Sequence, residues 1–436
     1  MSSYVRRKTP GDTEWFVHDR FGMFIHFGLY AMPARHEWIK KREKITDEVY
    51  DRYFKYFNPD LFDAREWARA AREAGMKYAV LTTKHHEGFC LFDSQYTDYK
   101  ITNTPFGRDL VKEYAEAFRA EGLKVGFYYS LIDWHHPEFT IDGVHPLSNH
   151  PDALEMNKSR DMKKYNQYMR DQVTELLSNY GKIDILWFDY SYGKMASCPQ
   201  FEGKSGAAWE AEELIATARA IQPHIIIDNR TGIEQDLTTP EQYQAETWPR
   251  HKETGELLTW EACQTFSGSW GYYRDEMTWK SPEMLVEMLC KTVSLGGNLL
   301  MNVGPCARGY FDKRATDALG AFGDWMKVNS RSIYGCTMAE PEFTAPQGTV
   351  LTQSEDGKRL YIHLLSYPFA SLSMKNLAGK IEYAQFLHDA SEIKYITGMP
   401  SQVFGDRPAE VNDVTFFTLP VVKPDVTVPV IEIFLK

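Results

Sequence analysis

Long apolar runs are the first thing missing from this 436-residue chain. No stretch approaches the roughly 20 apolar residues that a membrane-spanning helix needs, so no membrane partner is expected. The opening residues, MSSYVRRKTPGDTEW, contain no apolar core of a secretory signal. Positive charge is also short: 49 Lys and Arg stand against 60 Asp and Glu, a net charge of −11. With no basic stripe, nucleic acid is not an expected partner. The six cysteines, Cys90, Cys198, Cys263, Cys290, Cys306 and Cys336, lie far apart without CxxC spacing. They read as reduced thiols of a cytoplasmic protein, not as a disulfide framework or a zinc site. No GxGxxG or GxxxxGK[ST] follows the first strand-like segment, which argues against the nucleotide-binding folds. HExxH and a GxSxG nucleophile elbow are absent as well.

Aromatic residues are plentiful, at 14% of the chain. Aromatic faces stack on the C–H-rich faces of sugar rings, although a large core explains the same abundance. From about residue 20 to 335, strand-like and helix-like segments alternate. Strands are expected at 21–28, 77–89, 124–136, 183–189, 224–230 and 298–305. Helices are expected at 63–76, 107–123, 159–181, 209–221, 281–297 and 317–335. Repeated units of this kind imply a parallel sheet covered by helices. The expected fold is α/β: a (β/α)8-like barrel over 1–338, irregular between 230 and 281. A C-terminal antiparallel β-sandwich domain follows over 339–436, where the segments become short strands with polar turns.

In such barrels chemistry sits at the C-terminal ends of the strands. Polar residues end most strands here: His26, then Lys84-His85-His86-Glu87, then Tyr128 and Tyr129 with Asp133 to His136, then Asp189, then Asp228-Asn229-Arg230, and Asn302. One such residue has a structural explanation; many at one rim point to a shared concave site. His85 and His86 do not read as a metal pair, because neighbours on a strand point to opposite faces. No metal is expected. What remains are carboxylates. KIDILWFDYSYG (182–193) is an apolar strand that ends in Asp189. Asp189 is not followed by a helical pattern, which weakens a reading as a helix cap. A carboxylate nucleophile with a second, protonated carboxyl is the pairing of retaining glycoside hydrolysis.

Several short stretches carry a family resemblance: MFIHFGLY with HEW after it, KHHEGF, FYYS, LWFD, DNR, WEACQTFSGSWGY and GGNLLMNVGP. Together and in this order, they resemble the α-L-fucosidases of glycoside hydrolase family 29. The resemblance implies a catalytic barrel with a C-terminal β-sandwich, hydrolysis with retention, and no cofactor. It implies a fucosylated oligosaccharide or glycoconjugate as substrate. It makes Asp189 the nucleophile. The substrate contacts it implies are His26, Glu37, Trp38, His85, His86, Tyr129, Trp187, Arg230 and Trp270. Arg230 suits holding the nucleophile or a ring hydroxyl, and Trp38 and Trp270 suit a wall for the C6 methyl. Three residues compete for the acid/base role: Glu241 first, then Glu261, then Glu246. Two other functions stay open: fucose binding on an inactive barrel, and hydrolysis of a related sugar.

Overall fold

The computed structural model describes residues 4–398 and 413–436. Seven parallel strands form the first sheet: β1 (Phe21–Ile25), β2 (Tyr78–Lys84), β3 (Lys124–Ser130), β4 (Ile185–Asp189), β5 (Ile226–Ile227), β6 (Glu261–Thr265) and β7 (Asn298–Val303). Their order is β5-β4-β3-β2-β1-β7-β6. The gap between β5 and β6 is bridged by the segment 237–241. Leu237 pairs in parallel with Asp228, at the end of β5, while Thr238 and Glu241 pair with Trp260 and Cys263, beside and on β6. This irregular eighth stave closes the barrel, and it lies inside the region expected to be irregular.

The pleat divides the barrel strands into two apolar sets, because successive side chains point to opposite faces. Phe24, Tyr78, Val80, Tyr128, Ile185, Trp187, Ile226, Cys263 and Leu300 pack together in the barrel interior. Their neighbours Met23, Ile25, Ala79, Leu81, Phe127, Tyr129, Leu186 and Phe188 pack outward against the helices. The strands are therefore apolar on both faces, which is why they read as continuous apolar runs.

The covering helices begin where a short side chain accepts a hydrogen bond from the backbone. Asp63 caps Ala64–Glu73, Asp109 caps Leu110–Ala120, Asp161 caps Met162–Asn179, Ser281 caps Pro282–Ser294 and Asp312 caps Lys313–Asn329. Each cap is worth about 1 kcal/mol.

The remaining strands are β8 (Cys336–Met338), β9 (Thr349–Ser354), β10 (Arg359–Leu364), β11 (Ser371–Lys375), β12 (Ile381–Phe386), β13 (Tyr395–Thr397), β14 (Val414–Thr418) and β15 (Val430–Leu435). They form antiparallel sheets ordered β12-β15-β10-β9-β8 and β11-β14-β13. Leu360, Ile362, Ile431 and Ile433 from one sheet bury against Leu372, Met374 and Phe417 from the other, as in a β-sandwich. Because β8 pairs with β9, the second domain's sheet starts a little before the expected boundary at 339. The two domains are joined by the Trp325 indole N–H, which donates to Val428 O at 2.8 Å, and by Arg20 Nε, which donates to Cys336 O at 2.8 Å.

Candidate active site

A cavity opens at the C-terminal end of the barrel strands. It is lined by Phe24, His26, Trp38, His85, His86, Tyr128, Trp187, Asp189, Tyr190, Arg230, Glu241, Cys263 and Trp270. It encloses about 390 Å³ of empty space, its open mouth included.

Asp189 is the last residue of β4 and points inward with Trp187, two residues earlier. Its carboxylate is gripped from two sides. The Tyr128 hydroxyl donates to Oδ2 at 2.8 Å, and Arg230 Nη1 donates to Oδ1 at 3.0 Å. His86 Nε2 lies 3.8 Å from Oδ2. Tyr190, the next residue, is held at φ 85°, a left-handed conformation that costs a bulky residue of order 1–3 kcal/mol. That kink takes the chain out of the barrel immediately after the carboxylate.

Glu241 sits on the closing stave, directly across from Asp189. The same Arg230 Nη1 donates to Glu241 Oε2 at 2.7 Å. The guanidinium is fixed in turn: Nε donates to Thr239 Oγ1 at 2.9 Å, Nη2 to Thr239 O at 3.2 Å, and its centre lies 4.7 Å from the Trp187 ring. Loss of water raises the Glu241 carboxyl above its usual range; the Arg230 charge pulls it down and the Asp189 charge pushes it up. Its side chain is still 41% exposed. Gln242, immediately after, is also held at positive φ, 58°.

The histidines have fixed tautomers. Asn302 Nδ2 donates to Trp270 O at 2.7 Å, so its Oδ1 faces His26 Nδ1, 2.6 Å away, and that nitrogen carries the proton. Ser130 Oγ donates to Ile132 O at 2.7 Å, so it accepts from His86 Nδ1, also at 2.7 Å. Burial holds both imidazoles well below the usual histidine range, and the neighbouring His85 lowers them further. Both are neutral and keep an Nε2 lone pair for a hydroxyl donor. His85 Nδ1 lies 3.3 Å from Glu87 Oε2.

The cavity lining holds most of the expected residues and leaves others out. Tyr129 does not line the cavity. Its side chain points outward, where its hydroxyl donates to Gln172 Oε1 at 2.8 Å and its ring lies 4.3 Å from the Lys84 ammonium. Tyr128 takes its place, because it pairs with Trp187 across β3 and β4 and shares its inward face. Glu37 is buried and is not among the residues lining the cavity. Its Oε2 accepts from the backbone N–H groups of Trp270 and Gly271 at 3.1 and 3.0 Å, fixing the loop that presents the Trp270 indole.

The expectation that His85 and His86 face opposite ways also fails. β2 ends at Lys84, and both rings follow in a turn, 3.9 Å apart and both against the cavity. Lys84 and Asp133 form a fully buried ion pair at 3.1 Å behind that turn. Gly88 closes it at φ 83°, where a Cβ would sit 2.3 Å from Asp133 Oδ1. Of the competing acids, Glu246 is exposed and absent from the cavity lining. Glu261 is fully buried in the barrel below it. Phe24, Tyr128, Tyr190 and Cys263 complete the lining. Of these, Tyr128 stands at a strand end and Tyr190 directly follows Asp189, whereas no sequence signal points to Phe24 or Cys263.

Two carboxyl groups sharing one guanidinium at the mouth of a parallel barrel, ringed by neutral histidines and aromatic faces, define a glycoside hydrolase site. Comparison with known proteins gives the same class and narrows it. Residues 2–331 match the family model for α-L-fucosidase, and the chain belongs to the α-L-fucosidase family. It is similar to the plasma α-L-fucosidase of Homo sapiens, 32% identical over 379 residues that cover 81% of this chain and 76% of that one. Among solved structures it resembles α-L-fucosidase isoenzyme 1 from Paenibacillus thiaminolyticus at 44% identity. The two superpose with a TM-score of 0.88 over 98% of this chain and 99% of that one. It also resembles a Bacteroides thetaiotaomicron family 29 α-L-fucosidase trapped as a covalent intermediate with 2-fluoro-fucosyl fluoride. There the identity is 26% and the TM-score 0.81, over 100% of this chain and 98% of that one.

Proposed function

We propose that this chain is a retaining exo-α-L-fucosidase that removes terminal α-L-fucosyl groups from glycans. The observation that carries the retaining mechanism is the shared Arg230 nitrogen. Oxygens bound to one nitrogen at 3.0 and 2.7 Å can be no further apart than those lengths laid end to end. That is shorter than the roughly 6.5–9.5 Å by which inverting enzymes separate their carboxyls to admit a water.

Asp189 attacks the anomeric carbon while Glu241 protonates the glycosidic oxygen. Glu241 then takes a proton from the water that releases the sugar. The site supports this change of role: once Asp189 is esterified its negative charge is gone, and with it one of the influences that raise Glu241. His26 and His86 accept from sugar hydroxyls through Nε2, and Phe24 and Trp270, 5.9 Å apart, give an apolar wall for the C6 methyl. The closed floor of Trp187 restricts the cavity to a chain end. Fucose binding without turnover would suit a chain lacking one of these carboxyls, and both are in place.

A cytoplasmic setting belongs to the same proposal, supported by six unpaired cysteines, five of them buried. Among the described residues, no helix is long and apolar enough to cross a membrane. Turnover of 4-nitrophenyl α-L-fucoside, with 4-nitrophenyl galactosides as the comparison, tests the proposal. No fucoside turnover at high enzyme concentration, or faster galactoside turnover, would overturn it.

A further inference from the structure

Glu261 is an unusual carboxyl for a place it does not share with substrate. It begins β6 and points into the barrel interior, fully buried, below a cavity whose lining does not include it. Neither of its hydrogen-bond partners is charged. The Tyr78 hydroxyl donates to Oε2 at 2.5 Å, and the Trp187 indole N–H donates to Oε1 at 3.3 Å. Tyr78 is itself held by Asn298 Nδ2, which donates to its oxygen at 3.3 Å. Burial pushes the Glu261 carboxyl up to about 8, while the two hydrogen bonds pull it down. Its Oε1 is the acceptor oxygen that it presents to the indole.

What the indole touches on its other sides gives that bond a purpose. The Trp187 ring forms the cavity floor. The Arg230 guanidinium lies over it at 4.7 Å, and the Tyr128 ring stacks on it at 5.7 Å with 20° between the planes. Arg230 and Tyr128 are the two donors that grip Asp189. Among the described residues, the Glu261 bond is the one hydrogen bond made by the Trp187 indole N–H. We propose that Glu261 is a positioning residue: from inside the barrel it fixes the Trp187 indole, and through that ring the two groups that orient the nucleophile. This rests on the two-carboxylate reading of the site. It assigns Glu261 no contact with sugar and no proton transfer to it.

The test uses Glu261→Gln, Glu261→Leu, Trp187→Phe and the double variant Glu261→Leu/Trp187→Phe, assayed on 4-nitrophenyl α-L-fucoside. A glutamine keeps an acceptor oxygen, so Glu261→Gln should stay within about threefold of the wild-type kcat/KM. Glu261→Leu frees the indole and should lose on the order of tenfold or more, as small misplacements of a reacting group do. Azide should not restore it, because no proton donor has been removed. On the Trp187→Phe background, Glu261→Leu should cost less than about threefold more, since the bond it breaks is already gone.

Equal losses for Glu261→Gln and Glu261→Leu would overturn the proposal, and so would azide rescue, because either makes the carboxyl a chemical participant. Multiplying losses in the double variant would overturn it too. If Glu261→Leu does not fold, the glutamine variant decides alone: retained activity supports positioning and lost activity refutes it. Absence of turnover by the wild-type chain is a different result, and sinks the proposed activity itself.

Discussion

Replacing Tyr128 by Phe should separate the two halves of the reaction. The hydroxyl donates to Asp189 Oδ2 at 2.8 Å, and the ring remains free to stack on Trp187 after the substitution. A hydrogen bond to a charged acceptor is worth about 1.5–3 kcal/mol. Spent wholly on one barrier, that is roughly tenfold to a hundredfold in rate. The bond is strongest when Asp189 is a carboxylate and weak when it is an ester. In the first step the enzyme starts from the carboxylate, so the lost bond raises the starting state at least as much as the transition state. In the second step it starts from the ester and charge returns to Asp189, so the lost bond raises the barrier. Tyr128→Phe should therefore slow release of the sugar and spare its capture. With an activated nitrophenyl leaving group, stopped-flow absorbance should show a burst of about one nitrophenolate per site, followed by a steady state about tenfold slower than wild type. KM should fall alongside kcat as the intermediate accumulates. A fall in kcat/KM with unchanged KM and no burst would refute the reasoning, because the hydroxyl would then serve the first step. Unchanged kinetics would refute the grip itself.

Other outcomes follow from the same geometry. Asp189→Ala should be nearly inactive, and azide should restore turnover to give a fucosyl azide inverted relative to substrate. Glu241→Ala should yield the retained azide, and NMR of the products distinguishes the two; a fully active Glu241→Ala would remove it from the acid/base role. With Glu241 raised and, in the proposed mechanism, acting first as an acid, kcat/KM should fall as pH rises through its pKa, and Glu241→Gln should flatten that alkaline limb on an activated substrate. A pH profile unchanged by Glu241→Gln would contradict this. Lys84→Met leaves Asp133 buried without its partner and should cost about 3–5 kcal/mol of stability. Thermal denaturation should show most of that loss recovered in Lys84→Met/Asp133→Asn, and an additive double variant would refute the pairing.

The barrel strands were legible because burial on both faces writes continuous apolar runs into the sequence. β6 was not, since Glu261, Gln264 and Thr265 give it no such run; it is a strand because its neighbour β7 offers a ladder. Asp189 was legible because an acid at the end of an apolar strand has few structural uses. The choice between Tyr128 and Tyr129 was not, because alternation fixes that they face opposite ways but only register against Trp187 says which faces in. His85 and His86 misled for the converse reason: alternation was applied to two residues beyond the end of the strand. Glu241 followed from resemblance alone. Nothing local marks it, because its position is set by pairing with β6, more than twenty residues further along the chain.

The two carboxyls that share Arg230 are mounted on supports of unequal stiffness. Asp189 terminates a strand paired on both sides, whereas Glu241 rides on a stave held by isolated bridges. Lengthening or shortening the loop 232–236 would shift Glu241 while leaving Asp189 and the Trp187 floor where they are. The barrel thus has one adjustable jaw and one fixed jaw. An engineer seeking to favour transfer to an acceptor alcohol over hydrolysis, or to admit a bulkier leaving group, has a single short segment to vary.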